Sequence, residues 1–192
     1  MDAREAEEYR GATKYGQLRG GHIPGARLLH HEDLYAPDGS VKNADALTAL
    51  FTGLGLPSPP GRKRVVAYCA GGIRSGLTYT ALRLAGYENA ANYEASIYDY
   101  ARDLSLPLDA GEGYALVTRQ LARRAAEGKK AVVIDEKTVA GLVSATPDEL
   151  ASKFSALVPA KDTPVILDGG SDARLLATRF LGLGYRLVNV VE

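Results

Sequence analysis

Val65-Val66-Ala67-Tyr68-Cys69-Ala70-Gly71-Gly72-Ile73-Arg74-Ser75 is the stretch that decides the fold. Val65 to Tyr68 reads as a short buried strand that runs straight into a cysteine, a glycine-containing loop and then a helix. Leu77, Ala81 and Leu84, at i, i+4 and i+7, mark one face of that helix, and Gly86 supplies a left-handed stop. The chain's single cysteine therefore stands where a strand hands over to a helix N-terminus. Successive backbone N–H groups converge at such a place, and the helix dipole adds about half a positive charge. A thiol held there, with Arg74 closing the loop, is predicted to have a lowered pKa and to act as a nucleophile. The competing role for a lone cysteine is that of a small buried hydrophobe. Ala70, Gly71, Gly72, Ile73, Arg74 and Ser75 are poor core filler and suit a turn that cups an anion, which favours the nucleophile.

The 192 residues allow one large or two small domains, and hydrophobic and charged fractions of 46% and 24% are those of an ordinary globular protein. Lys and Arg balance Asp and Glu at 23 each, so neither nucleic acid nor an anionic membrane is expected as a partner. No apolar run approaches the ~18 residues of a spanning helix. No basic start followed by an apolar stretch suggests a leader. One cysteine excludes an intramolecular disulfide and points to a reducing compartment, the cytoplasm; a periplasmic protein stripped of its leader is the alternative. Both ends read as cut, so the chain is expected to be a segment of a longer protein with further domains.

Asp2 to Tyr9 reads as the tail of a strand followed by a polar helical turn. Asp2 and Arg4 either pair beneath a loop or stand as solvated charges. Pro24-Gly25 favours a tight turn before an apolar run, Ala26 to Leu29, expected as a strand. Asn43 looks like the N-cap of a helix through Ala46, Leu47, Leu50 and Phe51, which the segment from Pro57 to Gly61 ends. Asn89 to Tyr93 is expected as a strand, with Ile97, Tyr98, Tyr100 and Ala101 on a helix packed against the sheet. Leu106 to Gly113 is the best linker in the chain. His22, His30 and His31 are the only histidines, and no cysteine or carboxylate cluster of familiar spacing completes a metal site around them. No metal or cofactor is expected.

From Tyr114 the pattern starts again. Leu116, Leu121, Ala122 and Ala125 are expected on a basic amphipathic helix ending near Gly128, its cations a solvated face. Ala131 to Asp135 is a buried strand, and Thr146-Pro147-Asp148-Glu149 is a capping box opening another helix. Val165-Ile166-Leu167-Asp168-Gly169-Gly170 and the following Arg174 repeat the order of apolar strand, glycine loop, arginine and helix. Leu181-Gly182-Leu183-Gly184-Tyr185 echoes Leu84-Ala85-Gly86-Tyr87. A repeat after about a hundred residues suits two related α/β domains, assigned to residues 1–110 and 111–192. Asp168 stands where the second nucleophile should be. It is already an anion and offers no thiol, so the second copy is expected to be non-catalytic.

The first half resembles the rhodanese (sulfurtransferase) family. The resemblance rests on Asp2-x-Arg4, on Gly21-His22-Ile23-Pro24-Gly25-Ala26, on Tyr68-Cys69-x-x-Gly72-x-Arg74 and on Gly86-Tyr87. It implies an α/β fold of two rhodanese-like domains, each a mainly parallel central sheet flanked by helices. It also implies that Cys69 is the catalytic residue. Residues 70–75 would bind the transferred sulfur, with Asp2, Arg4 and His22 in support. The partners so implied are a small sulfur donor, such as thiosulfate, mercaptopyruvate or polysulfide, and a thiol or cyanide acceptor. The chain departs from the thiosulfate pattern in carrying Glu8 before Tyr9 and Ala70 after the cysteine, and Ala95-Ser96-Ile97 replaces the family's Gly-Ser-Trp.

Two other readings stand beside this one. Cysteine phosphatases and arsenate reductases share the loop-and-helix logic, but their loop resembles His-Cys-x5-Arg. Here Cys69 and Arg74 enclose four residues, a loop better suited to one sulfur than to a tetrahedral phosphate. A sulfur-carrier or regulatory module of a larger protein is the non-enzymatic alternative.

Overall fold

Short apolar runs alternating with amphipathic helices fold as an α/β protein with mainly parallel strands flanked by helices. The computed structural model describes residues 1–59 and 63–192. In chain order the elements are α1 (Ala6–Tyr9), β1 (Arg19–Gly20), a one-turn 3-10 helix (His31–Leu34), α2 (Ala44–Gly53), β2 (Val65–Ala67), α3 (Ile73–Leu84), β3 (Ala90–Asn92) and α4 (Ser96–Tyr100). They continue with β4 (Ala115–Val117), α5 (Arg119–Glu127), β5 (Val132–Ile134), α6 (Glu136–Val143), α7 (Pro147–Leu157), β6 (Val165–Leu167), α8 (Gly170–Gly182) and β7 (Val188–Val191). The described residues form two compact units, Met1–Ala6 with Gly25–Tyr100, and Glu7–Pro24 with Ala101–Glu192.

In the first unit β2 and β3 pair in parallel, Val65 opposite Ala90 and Ala67 opposite Asn92. Past β2 the ladder continues as single parallel bridges, Tyr68 to Asp2 and Asp2 to Leu28. The strand expected at Ala26 to Leu29 is reduced to that bridge and two hydrogen bonds, Asp2 N–H to Arg27 O at 2.8 Å and Leu29 N–H to Asp2 O at 2.9 Å. Its partner segment is short because the chain turns at Arg4 and enters α1. Leu29, Leu34, Leu47, Phe51, Leu82 and Tyr87 form the core, with the Phe51 and Tyr87 rings edge to face at 5.6 Å. Asn43 caps α2 by accepting the Ala46 N–H at 2.9 Å. Of the segment read as ending α2, Pro60 and Gly61 lie outside the described residues. The β2–α3–β3 crossover puts the cysteine loop at the C-terminal end of β2, the end at which open α/β sheets bind ligands.

The second unit is built on a sheet of order β1-β4-β7-β6-β5, parallel except for the antiparallel β1 edge. Side chains alternate across it. Leu116, Val165, Leu167, Val188 and Val190 join Phe154, Phe180 and Tyr185 in one cluster. Val117, Ile166 and Val191 join Leu121, Ala122 and Ala125 of α5 in another. Leu116, expected on a helix, therefore lies in β4. Ala115–Val117 is buried throughout and pairs with β7, and the Thr118 hydroxyl accepts the Leu121 N–H at 3.3 Å to start the helix only afterwards. Thr146 and Glu149 close a reciprocal capping box at α7. The stretch read as a linker is pinned. Asp109 exchanges two backbone hydrogen bonds with His22, and its carboxylate accepts the N–H groups of Gly111 and Gly113 at 2.6 and 2.8 Å. Among the described residues no helix is long and apolar enough to cross a membrane.

Candidate active site

β2 delivers Tyr68 and Cys69 to the loop, and α3 leaves it. The Cys69 sulfur accepts the Gly72 N–H at 3.1 Å. Gly72 is the N-cap of α3 at φ 91°, and a Cβ there would lie 2.5 Å from the Glu94 carbonyl oxygen, so only glycine fits. Its own carbonyl accepts three donors: Gly76 N–H at 2.9 Å, the Ser75 hydroxyl at 3.1 Å and Asn92 Nδ2 at 3.2 Å. The crown of the loop is thereby tied both to α3 and to β3.

α4 holds the other side. Cys69 N–H donates to the Ser96 hydroxyl at 3.0 Å, which itself donates to Tyr93 O at 2.6 Å. Ile97 N–H and Tyr98 N–H donate to the carbonyls of Cys69 and Ala70 at 3.2 and 3.0 Å. Ser96 is fully buried at φ 52°, a left-handed conformation costly for a residue with a side chain, so this turn carries strain next to the sulfur. The Tyr98 ring lies over Gly71, where a Cβ would come within 3.0 Å of it.

Cys69 is 2% exposed whereas Ile73 on the crown is 88% exposed, so the sulfur sits beneath a loop whose outer edge faces solvent. Burial pushes the thiol pKa up. Hydrogen bonds from the Ser75 hydroxyl and from the backbone N–H groups of Ser75, Gly71 and Gly72 more than reverse this, leaving the pKa below the ordinary thiol value. The Ser75 hydroxyl, which donates to Gly72 O, also lies close enough to the sulfur to favour its ionised form.

Asp2 and Arg4 form a fully buried pair, Nη2 to Oδ2 at 2.6 Å and Nε to Oδ1 at 2.9 Å. The strand that carries them is bonded to Tyr68, through Ala3 N–H to Tyr68 O at 2.8 Å and Tyr68 N–H to Met1 O at 3.0 Å. The Arg4 guanidinium also stands 5.9 Å from the centre of the Tyr68 ring. A buried pair of this kind fixes geometry more than it stabilises. Arg74 is half-buried in the first turn of α3, and its charge adds to burial and to His30 in pushing the His31 pKa down. His22 belongs to the second unit, where its ring stacks on Tyr9 at 3.6 Å and its Nδ1 lies 3.0 Å from Tyr9 O. Glu8 is buried in that unit as well and accepts from Gln17 Nε2 at 3.2 Å.

Of the loop residues expected from the sequence, Gly71, Gly72 and Ser75 hydrogen-bond the Cys69 sulfur, whereas Ile73 faces solvent and the Arg74 charge acts on His31; Asp2 and Arg4 lie in the same unit and His22 in the other. Ser96, Asn92 and Tyr98 were missed. A signal for Ser96 exists in Ala95-Ser96-Ile97, but its bond to the cysteine spans 27 residues of chain. His30, His31 and Glu32 bring potential ligand atoms within 4.8 Å of one another.

The profile of the rhodanese-like domain family matches residues 1–103. The chain is 34% identical over 120 residues to the sulfur carrier protein TtuD of Thermus thermophilus, an alignment covering 58% of this chain and 41% of that protein. It is 32% identical over 120 residues to a thiosulfate sulfurtransferase of Corynebacterium glutamicum, covering 58% and 38%. The chain therefore spans about two fifths of the length of these relatives. Among solved structures, the crystal structure of YnjE superposes with a TM-score of 0.49 at 26% identity, over 56% of this chain and 27% of that one.

Proposed function

The chain belongs to the rhodanese-like domain family, and from that premise we propose that it moves sulfane sulfur through a persulfide on Cys69. The observation that carries this reading is the Cys69 sulfur 3.1 Å from the Gly72 N–H, in a loop whose hydrogen bonds lower the thiol pKa against the cost of burial. With thiosulfate as donor, the Cys69 thiolate attacks the outer sulfur, the S–S bond breaks and sulfite leaves with the electron pair. An acceptor thiolate or cyanide then attacks the terminal persulfide sulfur, and the Cys69 thiolate is released. The N–H groups that stabilise the thiolate also stabilise the persulfide anion, by the means an oxyanion hole uses. Arg74 orients the loop or draws in an anionic donor, and the Asp2–Arg4 pair holds the strand beside Tyr68. Mercaptopyruvate and polysulfide remain as donors beside thiosulfate, because Ala70 brings no charge next to the cysteine.

Residues 1–110 constitute the sulfur-handling copy in this reading and residues 111–192 a non-catalytic one. In support, α3 and α8 end alike. Gly86 and Gly184 adopt φ 88° and 89°, and Tyr87 and Tyr185 donate to the carbonyls of Leu82 and Phe180 at 3.0 and 3.1 Å. Where the first copy has Cys69 the second has Asp168, which pairs with Arg119 at 2.9 Å.

A second reading, a carrier that hands sulfur only to a dedicated partner, draws support from the name of the Thermus relative. Thiocyanate formation from thiosulfate, mercaptopyruvate or polysulfide, counted per protein molecule, separates the two. Repeated turnover supports the enzyme; a single equivalent without turnover supports the carrier. Absence of any Cys69-dependent thiocyanate from all three donors overturns both.

A further inference from the structure

The two faces of the larger sheet are unequally covered. The face bearing Leu116, Val165 and Leu167 is packed by side chains from α6, α7 and α8. Among the described residues, the cluster on the face bearing Val117, Ile166 and Val191 takes its helical side chains from α5, with Leu104, Leu18, Ala131 and Val133 beside them. Beside α5 this leaves a cavity of about 410 Å³, within the roughly 300–1,000 Å³ of small-molecule sites. Leu18, Leu104, Leu121 and Ala125 give it an apolar floor, and Arg102, Arg124 and Lys130 stand exposed around it.

Two of the cations stand on ordered backbone. Arg124 follows Leu121 by one turn on α5. Lys130 is fixed by a Schellman motif, its N–H donating to Ala125 O at 2.9 Å and that of Lys129 to Ala126 O at 3.2 Å. Lys129 adopts φ 51° there, a position glycine normally fills. The segment carrying Leu104 is clamped by the buried Arg19 guanidinium, which donates to the carbonyls of Asp103 and Leu106 at 2.8 Å each. Among the described residues the side chains of Arg102, Arg124 and Lys130 form no hydrogen bond or ion pair. The nearby Asp103 carboxylate feels Lys130 and Arg19, and its Oδ1 accepts the N–H and hydroxyl of Ser105 at 2.9 and 2.6 Å.

The structure assigns this cavity to a small amphipathic organic anion, its apolar body on Leu18, Leu104, Leu121 and Ala125 and its carboxylate, sulfonate or phosphate head among Arg102, Arg124 and Lys130. The site belongs to the unit that does not contain Cys69, and its occupancy does not depend on sulfur transfer.

Octanoate titrated into the full chain tests this, followed by calorimetry and by amide shifts in NMR spectra, with 1-octanol and octylammonium as controls. The expected result is saturable one-to-one binding with shifts at Leu104, Leu121 and Ala125, and at least tenfold weaker binding of both controls. Arg102 and Arg124 are exposed, so Arg102→Gln with Arg124→Gln leaves the fold intact and weakens octanoate about two- to thirtyfold, as loss of two exposed ion pairs implies. Cys69→Ser leaves it unchanged. Equal binding of octanol, indifference to the double substitution, or no saturable shift at millimolar octanoate would each overturn the assignment.

Discussion

Replacing Ser75 by alanine removes a hydroxyl that donates to the ionised Cys69 sulfur while leaving the N–H groups of Gly71, Gly72 and Ser75 in place. A hydrogen bond to a charged group contributes about 1.5 kcal/mol at the low end of its range, which corresponds to about one pKa unit. The Cys69 midpoint should therefore rise by about one unit, towards the ordinary thiol value. At a pH below both midpoints the thiolate fraction falls about tenfold. A more basic thiolate is also a better nucleophile, with a Brønsted coefficient of about 0.4–0.5, so the net loss in sulfur-loading rate is about three- to fourfold. The assay is the pH dependence of alkylation by iodoacetamide, read by intact mass, with loading measured in parallel. Asn92→Ala is the control. It removes a donor from the same Gly72 carbonyl but none that reaches the sulfur, so it should leave the midpoint where it is. A folded Ser75→Ala protein whose midpoint does not move would refute the account of how the thiolate is held.

Gly72→Ala puts a Cβ 2.5 Å from the Glu94 carbonyl at a left-handed backbone position, and should cost about 2 kcal/mol or more in urea unfolding along with most of the sulfur loading. Asp168→Asn breaks a partly exposed pair with Arg119 and should change stability by no more than about 1 kcal/mol, with loading unchanged; a large loss of rate would show that the second copy contributes to the chemistry. His31 has its pKa lowered by burial first and then by His30 and Arg74, against Glu32 and Glu5. Below the ordinary histidine value of about 6.5 the unfolded chain therefore binds a proton that the folded chain resists. Stability from this group is full above that value and is lost as the pH falls towards the folded-state pKa, and His31→Gln should flatten this limb in thermal melts across the acidic range.

Local patterns were legible where one short segment determines the outcome. Asn43, Thr118, Asp135 and Thr146 each cap a helix with their own side chain, and the first and last were read directly from their positions before apolar runs. The Cys69 turn was legible for the same reason, since strand, glycine and helix lie within a few residues. Leu116 was misplaced because a three-residue buried strand has too few positions to show a period of two. Ser96 and Asn92 escaped because their partners, Cys69 and Gly72, are distant in sequence and meet them only after β2 and β3 pair. Glu7–Pro24 interrupts the first unit and builds on the second through β1 and the His22–Asp109 bridge, a long-range pairing that composition does not encode.

The most direct test of the central claim is the intact mass of the reduced protein before and after incubation with thiosulfate, mercaptopyruvate or polysulfide, and again after cyanide. The account predicts a gain of one sulfur atom, located on Cys69 by peptide mapping, absent in Cys69→Ser and removed by cyanide as thiocyanate. A folded protein with a free thiol that gains no sulfur from any of the three donors, or a Cys69→Ser variant that still does, would contradict it.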